Sequence, residues 1–232
     1  LHWASYHDSL SGTMSLLEAG ADVNATTDLG VTPLWLAAEN SSVSITKALL
    51  EAGADPSISL LSGETIVMTA AQSGNGDVVK ALLAAGADPN AAVTRGQTAL
   101  MWAAGRGYSD AIEALLEHGA NVHARSVVRP QYVKSEKVQD SHPAYKYWIE
   151  QGGNTALMFA ARSGDLQSAQ LLIEAGSDVN DLSAFGTSPA MMAVHGGNSE
   201  LLDYLLENGA DPDLNGSGQT ALHDAVLRGN PE

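Results

Sequence analysis

The chain contains no cysteine in its 232 residues. Disulfides, thiolate metal sites and cysteine nucleophiles are therefore excluded. The same absence leans slightly towards a periplasmic or extracellular protein and leaves a cytoplasmic one open. Basic residues are scarce, with 11 Lys and Arg against 27 Asp and Glu and a net charge of −16. Sequence-independent nucleic-acid binding needs a basic surface, so it is not expected. An acidic exterior instead keeps a chain soluble. No apolar run is long enough to span a membrane. No signal peptide is visible either. The sequence opens at Leu1 inside a helical pattern and stops inside another near Glu232, so the expectation is a segment of a longer chain.

What is present is a repeated unit, best seen in GQTALMWAAGRGYSDAIEALLEHGANVH at 96–123. Thr98 can accept an unpaired backbone N–H of a first helical turn. Leu100, Ala103 and Ala104 then form one apolar stripe of a helix. Gly107 marks a stop, because glycine enters the left-handed region without a Cβ clash. A second helix carries Ile112, Leu115 and Leu116 on one face, and Gly119 ends it. Helices this short are unstable alone in water, so each needs a neighbour.

The neighbours are copies. Leu1, Leu34, Val67 and Leu100 are spaced 33 apart, Leu157 and Ala190 again 33, and Leu222 follows after 32. Leu16, Leu49, Leu82, Leu115, Leu172 and Leu205 each lie 15 positions after an anchor. A period of 33 with this content defines a solenoid of repeats at about 1–24, 25–57, 58–90, 91–123, 153–180, 181–213 and 214–232. Asp8 and Ser41 fall at the helix stop where other copies carry glycine. An aspartate recurs in the hairpins at Asp22, Asp55, Asp88, Asp178 and Asp211, and recurrence at the repeat period points to hairpin hydrogen bonding.

TPLWLAA at 32–38, TALMWAA at 98–104 and TALMFAA at 155–161 resemble the ankyrin repeat. The resemblance implies one all-α ankyrin-repeat solenoid, with helix–turn–helix units joined by hairpin loops. It also implies a non-catalytic protein-binding module, without cofactor, whose partner lies on the concave face of hairpin tips and inner helices. Its histidine stands only at His2 and His223.

The frame is interrupted once, by a long insertion at 124–152 between the fourth and fifth repeats. Five of the 11 basic residues and four of the 12 aromatics lie there, including Tyr132, Tyr147 and Trp148. The insert carries +2, which leaves −18 on the rest. Excising 126–149 restores the hairpin spacing.

Other chemistry is weakly supported. Asp211, Asp213 and Asn215 match half a calcium loop, but its twelfth position holds Leu222. His118 and His123 lack a third ligand partner in the frame, so no metal is expected. The glycine pairs follow no strand, which removes a phosphate loop, and no nucleophile elbow appears.

By frame, the fourth and fifth repeats present Arg95, Arg106 and Arg162 and no acid on the concave side. Trp102 shares a frame position with Trp3 and Phe159, and the sixth repeat presents Phe185 and His195. Arginine forks suit carboxylates, and Tyr and Trp suit interface anchors. The expected site is a groove of Arg95, Trp102, Arg106, Arg162, Phe185 and His195, with Tyr132, Tyr147 and Trp148 on a lid or side wall. It would take a protein partner with acidic contact residues. The competing readings are a structural subunit that self-assembles through open repeat ends, and an accessory domain of an enzyme.

Overall fold

A computed structural model describes residues 1–134, 146–214, 216, 218, 220 and 221, with only the backbone at 133, 134, 146 and 147. His223 and most of the seventh repeat lie outside the described residues. The described residues form six helix pairs and one two-stranded ribbon. The inner helices are α1 (His2–Tyr6), α3 (Pro33–Glu39), α5 (Ile66–Ser73), α7 (Ala99–Ala104), α9 (Ala156–Ser163) and α11 (Pro189–Gly196). The outer helices are α2 (Leu10–Glu18), α4 (Val43–Glu51), α6 (Gly76–Ala84), α8 (Ser109–Glu117), α10 (Leu166–Glu174) and α12 (Ser199–Glu207). Inner helices pack on inner helices and outer on outer, so two layers run along the array.

Local chemistry sets the helix ends. Thr32, Thr65, Thr98 and Ser188 each accept, at their side-chain oxygen, the backbone N–H three residues on. Pro33 and Pro189 occupy first-turn positions, where a missing N–H is harmless. Gly74, Gly164 and Gly197 end α5, α9 and α11 in the left-handed region. Helix α7 stops earlier, at Ala104, and Gly107 carries the positive φ of 72° in the loop. Among the described residues, Asp8 and Ser41 are the non-glycine residues at positive φ, 51° and 58°. Both sit where the repeat frame placed a glycine.

The core is distributed between layers. Leu34, Val67, Leu100, Leu157 and Ala190 are buried, as are Leu49, Leu82, Leu115, Leu172 and Leu205. The small Ala37, Ala70, Ala103, Ala160 and Ala193 are buried between adjacent inner helices. Leu16 departs from the pattern and is 38% exposed.

Polar links run along the hairpins. Asp22, Asp55, Asp88, Asp178 and Asp211 each accept the backbone N–H two residues on. The Ser57 hydroxyl also donates to Asp55, and the pair of bonds holds that carboxyl below its usual pKa. Asn24, Asn90 and Asn180 reach the following repeat. Their amides donate to the Gly53, Gly119 and Gly209 carbonyls, and their oxygens accept from Asp55, Asn121 and Asp211 N–H. Ser57 and His123 occupy the equivalent positions elsewhere, so this clamp skips alternate junctions.

The all-α reading holds for the array and needs one addition. The insert contains an antiparallel ribbon of β1 (Arg129–Lys134) and β2 (Lys146–Gln151). It grows from a hairpin tip: Ser126 N–H donates to the Asn154 carbonyl, the same closure as Thr27 to Val31, Leu60 to Glu64, Val93 to Gln97 and Ser183 to Thr187.

Candidate partner-binding cleft

The base of the ribbon is fixed on both sides. Val127 N–H donates to the Arg95 carbonyl at 2.8 Å, and Ala184 N–H donates to the Gly152 carbonyl at 2.9 Å. Arg125 donates to the Gly153 and Leu182 carbonyls and pairs with Asp181. Gly152 has φ 114°, and a Cβ there would lie 2.1 Å from the Val127 oxygen. The two strands can leave the array side by side because this position has no side chain.

Anchored in this way, the ribbon overhangs the inner helix of the fifth repeat. Beneath it is an open cleft of about 430 Å³. Arg95 and Gln97 come from the preceding hairpin, Arg129, Gln131 and Gln151 from the ribbon, and Phe159 and Arg162 from α9. Phe159, 9% exposed, forms part of the floor, and the Arg162 guanidinium lies 4.9 Å from its ring centroid. That is cation–π distance, so the ring helps to place the charge. The Arg129 guanidinium donates to the Thr94 carbonyl at 2.8 Å. The ion pairs among the described residues are Lys80–Glu117 and Arg125–Asp181. Arg95, Arg129 and Arg162 thus meet in one cleft without a carboxylate among the described residues, in a chain of net charge −16.

The remaining expected residues divide. Trp102 and Arg106 line an adjoining hollow of about 300 Å³, which Phe159 also borders. Phe185 is exposed at the tip of the next hairpin, and His195 is exposed on α11; neither lines the cleft. Tyr132 and Trp148 are not a wall of it. They form a cross-strand pair, with ring centroids 5.1 Å apart. Strand alternation sends Arg129 and Gln131 to one face of the ribbon and Pro130 and Tyr132 to the other. The aromatic pair therefore stands on the outer face, 50% and 68% exposed. Tyr147 pairs with Val133 through the backbone, and its side chain is outside the described part.

Sequence reasoning gave Arg129 and Gln131 no place among the groove residues, whereas the repeat frame already put Gln97, Gln151 and Asn154 on the concave side. The available signal was the alternation in Arg-Pro-Gln-Tyr at 129–132. A proline within the run obscured it as a strand.

Two layers of short helices, capped by threonine and joined by hairpins at a 33-residue period, define a helical repeat solenoid with an open side cleft. The family model for ankyrin repeats (3 copies) matches residues 1–93, 45–126, 93–183 and 157–232, and the chain belongs to the ankyrin repeat family. Arrays of this family are generally non-catalytic and mediate protein–protein interaction.

Among its relatives is the rat "Ankyrin repeat and SAM domain-containing protein 6", 36% identical over 47% of this chain and 12% of that protein. The nematode Caenorhabditis elegans "Transient receptor potential cation channel subfamily A member 1 homolog" is 33% identical over 34% of this chain and 6% of its own length. The bovine "Cyclin-dependent kinase 4 inhibitor B" is 34% identical over 34% of this chain and 60% of its own length. This chain thus spans a small part of the first two. Among the described residues no helix is long and apolar enough to cross a membrane.

Proposed function

We propose that this array is a non-catalytic module that holds an acidic segment of a protein partner in the cleft between the ribbon and the fifth repeat. One observation carries the reading. Three arginines from three separate elements line that cleft, and no carboxylate neutralises them among the described residues. Guanidinium groups recognise carboxylates through paired, charge-assisted hydrogen bonds. The test is affinity capture with the whole chain, then titration of the retained partner against wild type and the double variant Arg95→Ala/Arg162→Ala. Equal affinities for the two proteins would remove the cleft from the interface.

A further inference from the structure

The ribbon has two strands, and among the described residues neither outer edge pairs with another strand. A lone two-stranded ribbon is marginal in water. An open edge presents backbone N–H and C=O groups that an extended chain can pair with. The two edges differ in what lies beside them. The arginine cleft takes Arg95 and Gln97 from the hairpin before β1, and among the described residues it takes none from the hairpin at 181–188 after β2. The open space with basic walls is therefore on the β1 side.

We infer that the partner segment adds to the outer edge of β1 as a third strand, with a carboxylate on every second residue. This rests on the arginine-cleft reading. A strand added to a pleated ribbon continues its alternation. Its side chains next to Arg129 and Gln131 enter the cleft and face Arg95 and Arg162, which selects Asp or Glu. The intervening side chains stand on the other face beside Tyr132, whose ring already packs on Trp148. That exposed aromatic pair selects apolar residues. The occupant is thus an extended segment of alternating acidic and apolar residues.

Three hexapeptides test this against the isotope-labelled full chain. One is acetyl-Glu-Val-Glu-Val-Glu-Val-amide. The second has the same composition in blocks, Glu-Glu-Glu-Val-Val-Val. The third is the alternating peptide N-methylated on every second residue. The alternating peptide should bind roughly tenfold more tightly than either other. It should also slow hydrogen exchange at Gln131 or Tyr132, since one of two successive strand amides faces the outer edge. Arg95→Ala/Arg162→Ala should abolish the binding. Equal binding of all three peptides, without slowed exchange, overturns strand addition and leaves the arginine cleft standing. Binding of none overturns both.

Discussion

Ser126 and Asn154 close the foot of the ribbon with two hydrogen bonds. Ser126 N–H donates to the Asn154 carbonyl at 3.0 Å, and Asn154 N–H donates to Ser126 Oγ at 3.0 Å. Thr27 with Val31 and Ser183 with Thr187 show the same pair of bonds across ordinary hairpins. The insert is therefore an enlarged hairpin tip within an unbroken frame. The turn at 94–96 has three residues, and the equivalent turn runs from 127 to 153. Gly96 and Gly153, its last residues, share φ 68°.

Those contacts relocate the cut that removes the insert. Excising 126–149 would delete buried Ser126 and break the closure. Excising the 24 residues 129–152 leaves Val127, Val128 and Gly153 as a normal turn. This variant should keep its helical circular dichroism and lose about 1 kcal/mol or less, because closure entropy changes slowly with loop length. It should lose binding to the captured partner, since Arg129, Gln131 and Gln151 go with the ribbon. A molten or aggregated product would make the ribbon part of the fold.

Ser41→Gly should stabilise the array by roughly 0.5–1 kcal/mol, as it removes a side chain from the left-handed region. Ser41 has φ 58°, and the Asn75 amide bonds its carbonyl, which glycine retains. A denaturant midpoint unchanged or lowered would show that the strain is relieved elsewhere.

Leu115→Ala should destabilise by about 2–5 kcal/mol, through a cavity between outer helices. Its side chain is 0% exposed in α8, which packs on both α6 and α10. Because repeats stabilise each other only through neighbours, unfolding should then separate into two stages. Calorimetry showing a single transition with a loss under about 0.5 kcal/mol would deny that burial.

Asn90→Ala should lower stability by about 1–2 kcal/mol although the residue is exposed, because two repeat-to-repeat hydrogen bonds are lost and the Gly119 carbonyl and Asn121 N–H return to water. Chemical denaturation of the single variant checks it. Ser57→Ala lacks a comparable link to the next repeat among the described residues and should fall well short of that loss.

Salt should weaken partner binding in the wild type, and less steeply in Arg95→Ala/Arg162→Ala. Exposed charges are screened over about 8 Å at physiological ionic strength. The Arg106→Ala variant should change affinity less, since Arg106 lies in the adjoining hollow. Titrations at two salt concentrations measure both slopes, and parallel slopes would dismiss the arginines from the contact.

The helix pairs of the six described copies were legible from residue order. Anchors such as Leu100 and Leu115 fall into place because helical and repeat periods dictate which side chains meet a neighbour. Even the positive φ of Asp8 and Ser41 followed from their position in that frame. Local bonds, such as Thr98 to Met101 N–H, needed only nearby residues. The cleft was legible only in part. Arg95 and Arg162 share the concave side by frame, but Arg129 joins them only because hydrogen bonds at Val127 and Gly152 anchor the ribbon beside them. Tyr132 and Trp148 were visible as insert aromatics, but their side of the ribbon depended on the pairing of 132 with 148. Pairing register is a contact between distant residues, and shifting it by one position reverses every side chain.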